Sequence, residues 1–394
     1  MVRNILLLNL AAVYFTSGNM VAAVDLAKNA IIKARETIPL YDDILAVNFM
    51  AYIEKQRGHL RQAAKLYREA IQLGTPRPGA HPLPVVDRAY VGLGQILYEW
   101  DDLDEAERLL NVGIELGNEA GEGVNSVGGY LALARLKQTQ GDRRSALEAI
   151  KRAEEIAIPM VSWLHLADYV QAWQAVMSLV QGDLDDAGRW ADSPDLGLSL
   201  HDVPDFVLEL PHLALVRVRI AQGRNGEIIE YLERLRQKAE TEERMGAVIE
   251  ILILESLSLQ AENKIDRALN ILARALALAE PEGYKRTFID EGQAMARLLR
   301  TALSRGTMPR YVGELLAGFE GQGIPALPPT VERLTEREKE IMRLVESGLS
   351  NEEIAGTLFL AVGTIKKHLY NIYGKLDVKN RTQALARGKE LGLF

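Results

Sequence analysis

Apolar residues at helical spacing, interrupted by short turns, dominate the first 280 or so residues of this chain. Segments such as DILAVNFMAYIEKQ and YLALARLKQTQ have this spacing and precede a turn. Segments such as LRQAAKLYREAIQL and SALEAIKRAEEIA follow a turn and have the same spacing. A period near 3.6 residues is typical of amphipathic helices. The pattern therefore predicts helices that are joined in pairs.

The turns themselves recur about every 40 residues, and six of the seven are followed by a small residue five positions after their first member. The seven turn pairs and their partners are Gly18-Asn19 with Ala23, Gly58-His59 with Ala63, Asp101-Asp102 with Ala106, Gly141-Asp142 with Ala146, Gly182-Asp183 with Ala187, Gly223-Arg224 with Ile228 and Asn263-Lys264 with Ala268. Ile228 is the one large residue in this series. A second small residue follows about seven positions later at Ala70, Gly113, Ala153 and Ala275.

Small residues at these positions let the two helices of a hairpin approach closely, and a fixed period of this length is typical of helical solenoids. The pattern resembles tetratricopeptide (TPR) repeats, lengthened beyond their usual ~34 residues by longer connections. Such hairpins stack into a superhelix with a concave face. We therefore expect a TPR-like superhelix over residues 1–304.

Two features inside the repeats are candidates for ligand binding. The aromatic segment with Trp163, His165, Tyr169 and Trp173 is either core between repeats, the simpler interpretation, or an effector-binding surface. The long connection Ala191 to Asp205 carries His201, Asp202 and Asp205. These three are better explained as a polar loop than as a metal site, since no second histidine stands at ligand spacing. We expect no metal site.

The last sixty or so residues predict four short helices. Ser350 with Glu353 and Thr335 with Glu338 have the spacing of a capping box, and Asn380 with Gln383 has the same form. Gly348 and Gly392 are expected to end the first and the last helix. The inward residues would be Ile341, Leu344, Val345, Ile354, Ala355, Leu358, Ile365, Leu369, Ile372, Leu376, Ala384, Leu385 and Leu391.

Only about four residues separate the second of these helices from the third, so the two form a helix-turn-helix candidate. The outward residues of the third helix are then Thr364, Lys366, Lys367, Tyr370, Asn371 and Lys375. Donors and cations of this kind read base edges and hold phosphates. A charged helix face in ordinary solvent is the alternative interpretation.

Charge and composition support a nucleic-acid role for the C-terminal region alone. Residues 331–360 have 4 basic and 7 acidic side chains, net −3, whereas residues 361–394 have 7 and 2, net +5. The whole chain carries −8, so residues 1–330 carry −10. The chain has no cysteine and no apolar run long enough to span a membrane. We expect a cytoplasmic protein that does not bind membranes and is not an enzyme.

The segments LTERE, SNEEIA, GTIKKHLYNIYGKL and VKNRTQA together resemble the LuxR-type helix-turn-helix of bacterial transcription regulators. That resemblance implies that Lys366, Lys367 and Tyr370 face bases, while Thr364, Asn371 and Lys375 lie nearer the phosphates. It also implies self-association through the fourth helix, Arg381 to Leu391. The chain departs from the family at Ala361, where a serine usually caps the reading helix, a difference of about 1 kcal/mol.

The segments YVGLGQILYEWDDLDEAERLLNVGIELG and ALALAEPEGYKRTFIDEGQAMARLLR resemble the sensor domain of MalT-like, large ATP-binding LuxR regulators. In that family the repeat domain receives the inducer and a nucleotide-binding module precedes it. This chain has no G-x-x-x-x-G-K-[ST] segment. We therefore expect no cofactor; ATP would enter only through a module outside this sequence. The chain is either the C-terminal portion of a longer regulator, which its start inside a repeat favours, or a shortened regulator that works without ATP.

The sequence thus predicts an all-α protein: a TPR-like superhelix (1–304), a terminal helix and Gly/Pro-rich linker (305–330) and a four-helix LuxR-type helix-turn-helix domain (331–394). The predicted function is transcription regulation, as activator or repressor, controlled by a small-molecule or protein effector. The predicted partners are double-stranded DNA, a second copy on DNA and RNA polymerase. The alternative is a TPR-type protein-interaction scaffold with secondary DNA binding.

Overall fold

A computed structural model describes residues 2–37, 40–75, 77, 79–121, 123–158, 166–193, 196, 198–200, 203–204, 209–226, 228–320, 336–358, 360–375, 378 and 380–390. The chain divides into two compact units, Met1–Ile324 and Pro325–Phe394. Across the described residues the regular structure is helical throughout. The predicted linker residues 321–330, the metal candidates His201, Asp202 and Asp205, and the helix-end residues Thr335 and Gly392 lie outside the described residues.

The first unit is a series of helical hairpins followed by three further helices, with one-turn 3₁₀ helices at Pro84–Val86 and Glu280–Glu282. Its α-helices are α1 (Val2–Thr16), α2 (Met20–Thr37), α3 (Leu40–Gln56), α4 (Leu60–Leu73), α5 (Asp87–Glu99), α6 (Leu103–Glu119), α7 (Gly123–Thr139), α8 (Arg143–Ala157), α9 (Leu166–Val180), α10 (Leu184–Ala191), α11 (Glu209–Ala221), α12 (Ile228–Thr241), α13 (Met245–Ala261), α14 (Ile265–Ala279), α15 (Arg286–Ile289), α16 (Gly292–Ser304) and α17 (Pro309–Glu320).

The predicted turns join the two helices of each hairpin, and the predicted TPR-like fold is confirmed. The first residue of each turn has the positive φ that ends a helix: Gly18, Gly58, Asp101, Gly141, Gly182, Gly223 and Asn263. The residue five positions later is fully buried in all seven hairpins, including Ile228. A small side chain there allows close helix packing, and each hairpin then stacks on the next, as α2 does on α3.

The stack of hairpins curves until distant repeats meet. α13 contacts α3, and a Cβ added at Gly58 would lie 3.0 Å from the Cβ of Met245. Arg57 forms an ion pair at 3.2 Å with Glu243, which lies in the turn before α13. The segment after α14 packs on α5, where the backbone NH of Lys285 donates to the carbonyl of Glu99 at 3.0 Å. The first helices of the hairpins therefore surround a common interior.

The second unit consists of α18 (Glu336–Glu346), α19 (Asn351–Leu358), α20 (Val362–Lys375) and α21 (Arg381–Glu390). α18 contacts each of the other three helices. They enclose one apolar core with Ile341, Met342, Val345, Ile354, Ala355, Ile365, Leu369, Ile372 and Ala384 as its buried residues. The four-helix prediction is confirmed.

None of the described helices is long and apolar enough to cross a membrane. Among the same residues, no group of three or more His, Asp or Glu side chains is arranged to hold a metal ion.

Candidate nucleic-acid interface

The apolar residues of α20 fix which face of this helix points to solvent. Ile365, Leu369 and Ile372 are buried at the spacing of one helical face and pack on the core of the four-helix unit. The opposite face is left to the solvent. The helix is therefore held by its inner side, as the helical period of the sequence predicts.

A short turn separates α19 from α20, and α19 begins with a complete capping box. The amide of Ser350 donates to Glu353 Oε2 at 2.7 Å, and the amide of Glu353 donates to Ser350 Oγ at 3.3 Å. The backbone hydrogen bond from Ser350, followed by the side-chain bond, lowers the pKa of Glu353. The box fixes the start of α19, the helix that precedes α20.

Arg381, at the start of α21, ties this helix to the turn between α18 and α19. Its Nη2 donates to the carbonyl oxygens of Val345 at 3.0 Å and Leu349 at 2.7 Å. Val345 lies in the last turn of α18, and Leu349 lies beyond the end of that helix, in the turn that leads into α19. The N-terminus of α21 is capped as predicted, since the amide of Gln383 donates to Asn380 Oδ1 at 2.9 Å. Arg381 was not among the predicted site residues.

The outer face of α20 carries most of the predicted DNA-contacting side chains. Thr364, Lys366 and Lys367 are exposed, and Tyr370 is 79% exposed. Asn371 is half-buried at the edge of this face. Lys375 is the last residue of α20, and its side chain lies outside the described residues. An aromatic ring this exposed beside two adjacent lysines forms a cationic, hydrogen-bonding surface, and its contact with DNA stays a prediction.

The start of α20 lacks a side-chain cap, as the sequence predicts. The amides of Thr364 and Ile365 donate to the carbonyl of Ala361 at 2.9 and 3.2 Å. Ala361 itself has no side-chain oxygen to accept a further amide. The first turn of α20 is therefore held by backbone bonds and by core packing.

Of the predicted effector residues, Tyr169 and Trp173 lie on α9, whereas Trp163 and His165 lie outside the described residues. Both rings are half-buried and pack against the apolar cluster that includes Val127 and Ile150. The guanidinium of Arg135, on α7, lies 5.7 Å from the Trp173 ring centre. Trp173 thus contacts both the core between repeats and a cation; an effector role stays a prediction.

A buried ionic network in the repeat unit was missed by the sequence reasoning. Asp290 accepts from Arg135 at 2.7 Å and from the hydroxyl of Tyr98 at 2.7 Å, and it also pairs with Arg286. The Tyr98 hydroxyl lies 2.8 Å from Thr139 Oγ1. Burial raises the pKa of Asp290, but Arg135 and Arg286 outweigh it, and the pKa ends below its ordinary value. The network joins α5, α7 and the segment 286–290.

Further polar side chains occupy the same interior, on the first helices of other hairpins. Arg217, on α11, pairs with Glu250 at 2.8 Å and with Glu291 at 2.6 Å. Lys55, on α3, donates to the side chain of Gln95 on α5. Burial lowers the pKa of Lys55 to about 8. The segment YKRTFIDEG carries Arg286, Asp290 and Glu291. It could have indicated this network, because charged side chains that are buried in a repeat require partners.

Two family models match the chain, one for each unit. Residues 1–305 match the model of the MalT-like TPR region, and residues 332–387 match the model of the luxR family of bacterial regulatory proteins. The first match covers most of the chain.

Among curated proteins, the HTH-type transcriptional regulator MalT of Serratia proteamaculans (strain 568) is 27% identical over 329 residues. The match covers 75% of this chain and 35% of that protein, so the chain spans about a third of the relative's length. Among solved structures, the signal transduction ATPase with numerous domains and a TPR sensor from Pyrococcus horikoshii aligns with a TM-score of 0.42 and 16% identity, over 80% of this chain and 46% of that one. A TPR protein from Parabacteroides merdae aligns with a TM-score of 0.37 and 14% identity, over 81% of this chain and 99% of that one.

Proposed function

We propose that this chain regulates transcription by binding double-stranded DNA. The chain belongs to the family with the MalT-like TPR region, and its C-terminal domain matches the luxR family of bacterial regulatory proteins. The observation that carries the proposal is the outer face of α20. Lys366, Lys367 and Tyr370 are exposed together on a helix whose other face is buried in the four-helix core. A helix presented in this way fits the major groove as the second helix of a helix-turn-helix.

The side chains of this face divide into two roles in the proposal. Lys366, Lys367 and Tyr370 lie towards base edges, where hydrogen bonds and cations select sequence. Thr364, Asn371 and Lys375 lie nearer the phosphates, where contacts set orientation and add a salt-dependent affinity. The half-buried side chain of Asn371 fits a contact at the edge of the groove better than one at its centre.

Two copies of the domain act together in this proposal. A single small helical module buries little surface, and paired half-sites are the usual way to gain affinity and specificity. RNA polymerase is the expected downstream partner. Activation and repression are both compatible with this arrangement.

In this proposal the TPR-like region, residues 1–304, binds an effector. Residues 305–330 connect it to the DNA-binding domain, residues 331–394. Support comes from the interior of the hairpin stack, where Trp173, Arg135 and Tyr98 combine aromatic rings with a cation. Such a surface suits a small molecule with polar groups. If a peptide were bound instead, the TPR scaffold would be the better description and DNA binding would be secondary.

Fluorescence anisotropy with a labelled duplex of mixed sequence tests the DNA-binding proposal. We expect log K to fall linearly with log salt between about 50 and 200 mM, because lysines that contact phosphates release counterions. Lys375→Ala should weaken binding to every duplex and reduce the salt slope by about 1. Absence of binding by the full-length chain, or a salt slope unchanged in Lys375→Ala, would contradict the proposal.

A further inference from the structure

The ammonium group of Lys55 lies in the interior of the hairpin stack without a carboxylate partner. Lys55 is in the last turn of α3, and its side chain is half-buried. Within the part of the chain that the structure describes it forms no ion pair, and its side-chain hydrogen bond goes to Oε1 of Gln95 on α5. An ammonium has three donors, so two remain for another acceptor.

The arginines of the same interior are paired. Each has a carboxylate within 3.3 Å: Arg135 with Asp290, Arg217 with Glu291 and Arg286 with Asp101. Pairing is expected, because a charge that leaves water is costly unless an opposite charge faces it. Burial has its largest effect on Lys55 in the opposite direction, and it lowers the pKa of this lysine to about 8. The fold thus leaves one cation of its interior without a counter-charge.

Glu99 is the acidic group that acts on Lys55, but it is bound elsewhere. Its carboxylate raises the pKa of Lys55 by less than burial lowers it. Glu99 Oε1 accepts the backbone amides of Lys285 at 3.1 Å and Thr287 at 2.8 Å. These two bonds hold the carboxylate towards the segment after α14, and it forms no ion pair with Lys55. The place beside the ammonium is therefore left for an acceptor from outside the chain.

Gln95 offers a second donor next to Lys55. Its Oε1 accepts from Lys55, whereas its amide nitrogen has no hydrogen-bond partner in the ranges that the structure describes. The side chain of Gln95 is half-buried, as that of Lys55 is, so water reaches both. Tyr98 follows one turn later on the same face of α5, and its ring lies 4.9 Å from the guanidinium of Arg135.

α13 bounds this recess on the side of α3. A Cβ added at Gly246 would lie 3.5 Å from the carbonyl oxygen of Lys55 and 3.3 Å from the hydroxyl oxygen of Tyr284. The recess is thus enclosed by α3, α5, α13 and the segment after α14. Two donors, one of them charged, meet there beside an aromatic ring.

We infer that Lys55 and Gln95 bind the carboxylate of a small-molecule effector, which supplies the negative charge that the fold does not. A carboxylate can accept from the ammonium and from the amide at once, and a charged donor strengthens such bonds. One negative charge fits better than two, because Glu99 and Asp290 in the same interior repel a second. The site lies in the proposed effector-binding region and rests on that proposed function.

Thermal unfolding of the full chain tests this site, with benzoate and benzamide as a pair of probes that differ in the carboxylate. Tryptophan fluorescence reports the repeat unit, since all four tryptophans precede residue 191. At about 20 mM and constant ionic strength, benzoate should raise the unfolding midpoint on the order of 1–2 °C more than benzamide, because a ligand of the folded chain shifts the equilibrium. The difference should disappear in Lys55→Met and shrink in Gln95→Leu.

The same variants separate a ligand-binding lysine from a structural one. Without a probe, Lys55→Met should raise the midpoint, because it removes a poorly solvated ammonium and breaks no ion pair. The matched control is Lys137→Met. Lys137 is 19% exposed and pairs with Glu107 at 2.5 Å, so its loss should lower the midpoint and leave the response to benzoate unchanged.

Acetylation by acetic anhydride, read by peptide mass spectrometry, locates the bound carboxylate. An anion beside Lys55 favours the protonated ammonium, which is unreactive. Benzoate should therefore slow acetylation of Lys55 several-fold at pH 8, whereas benzamide should not. Acetylation of Lys137 should be the same with either probe.

Several results would overturn the assignment: no shift with benzoate, equal shifts with both probes, a benzoate shift that persists in Lys55→Met, or a lower midpoint for Lys55→Met without a probe. A shift that depends on Lys55 but is larger with inorganic phosphate would overturn the choice of a singly charged group. A neutral compound that stabilises the chain independently of Lys55 would reject this site and leave the proposed effector role standing. DNA binding is measured separately, by anisotropy.

Discussion

Arg381 Nη2 lies 2.7 Å from the carbonyl oxygen of Leu349, so the first residue of α21 is bonded to the turn that precedes α19. The same nitrogen reaches the carbonyl of Val345 at 3.0 Å. One guanidinium thus connects the last described helix of the C-terminal unit to the last turn of α18 and to the turn that leads into α19. The relative placement of three helices thus depends on a contact that involves none of the predicted DNA-contacting residues.

Replacing Arg381 should loosen this domain without touching its outer surface. Arg381→Ala removes two hydrogen bonds from a charged donor and leaves the carbonyl of Val345 with the amide of Gly348 alone, so we expect a loss of about 1.5–3 kcal/mol. Hydrogen–deuterium exchange should become faster in α18, α19 and α21, while the repeat unit is unaffected. Arg381→Lys keeps the charge and should lose less. Unchanged exchange in Arg381→Ala would show that these bonds do not hold the domain together.

A cap at Ala361 should stabilise α20. Ala361→Ser places a hydroxyl where it can accept the amide of Thr364, whose backbone bond to Ala361 marks the first turn. We expect a gain of about 0.5–1 kcal/mol in the C-terminal domain and slower amide exchange in the first turn of α20. Ala361→Val is the control, since valine adds no acceptor and ranks with alanine at the N-cap of a helix. A serine variant with the same exchange as the wild type would mean that its hydroxyl does not reach the amide.

Replacing Asp290 should destabilise the repeat unit. Asp290→Asn removes the negative charge that Arg135 and Arg286 share, and because the Asp290 side chain is 20% exposed the loss should be about 1.5–3 kcal/mol, less than for a fully buried pair. The midpoint of urea unfolding should fall accordingly. All four tryptophans, Trp100, Trp163, Trp173 and Trp190, precede residue 191, so intrinsic fluorescence reports this unit alone. As a control, Asp266→Asn changes a carboxylate whose side chain is 85% exposed and should have little effect.

The same carboxylate gives the repeat unit a pH dependence of known sign. The pKa of Asp290 is lowered in the folded chain, so its ion pairs stabilise the fold at pH values above the ordinary aspartate pKa of about 4. This contribution is lost as the pH falls through the lowered pKa. The stability difference between wild type and Asp290→Asn should therefore be largest near neutral pH and shrink below about pH 4. A difference independent of pH would show that the charge of Asp290 is not the cause.

The repeated helical hairpins could be predicted from the sequence because their turns and helices are determined by residues close together in the chain. Gly58 and Asp101 indicate their turns because a positive φ favours glycine or aspartate. Ala63 and Ala106 lie fully buried five residues later because only a small side chain lets the two helices pack closely. The core of the C-terminal unit was readable for the same reason, since Ile365 and Leu369 recur at the helical period. Structural elements that depend on neighbouring residues were therefore predicted correctly.

Contacts between distant segments were not readable. Asp290 contacts Tyr98, 192 residues away in the sequence, and Arg381 contacts Leu349, 32 residues away. Neither contact produces a periodic pattern in the sequence that would predict it. The curvature of the hairpin stack brings Asp290 to Tyr98, whereas the packing of the four-helix unit brings Arg381 to Leu349.

The most direct test of the account is the selection of duplexes from a random pool by the full-length chain, followed by anisotropy titration of the selected and a scrambled duplex. The double variant Lys366→Ala with Lys367→Ala should lose about 1–3 kcal/mol of preference for the selected duplex per base contact removed. The control is Lys151→Ala with Arg152→Ala, an adjacent exposed basic pair on α8, which should keep the wild-type preference. Equal preference in wild type and the α20 variant, or no enrichment of any sequence, would contradict the claim that α20 reads DNA.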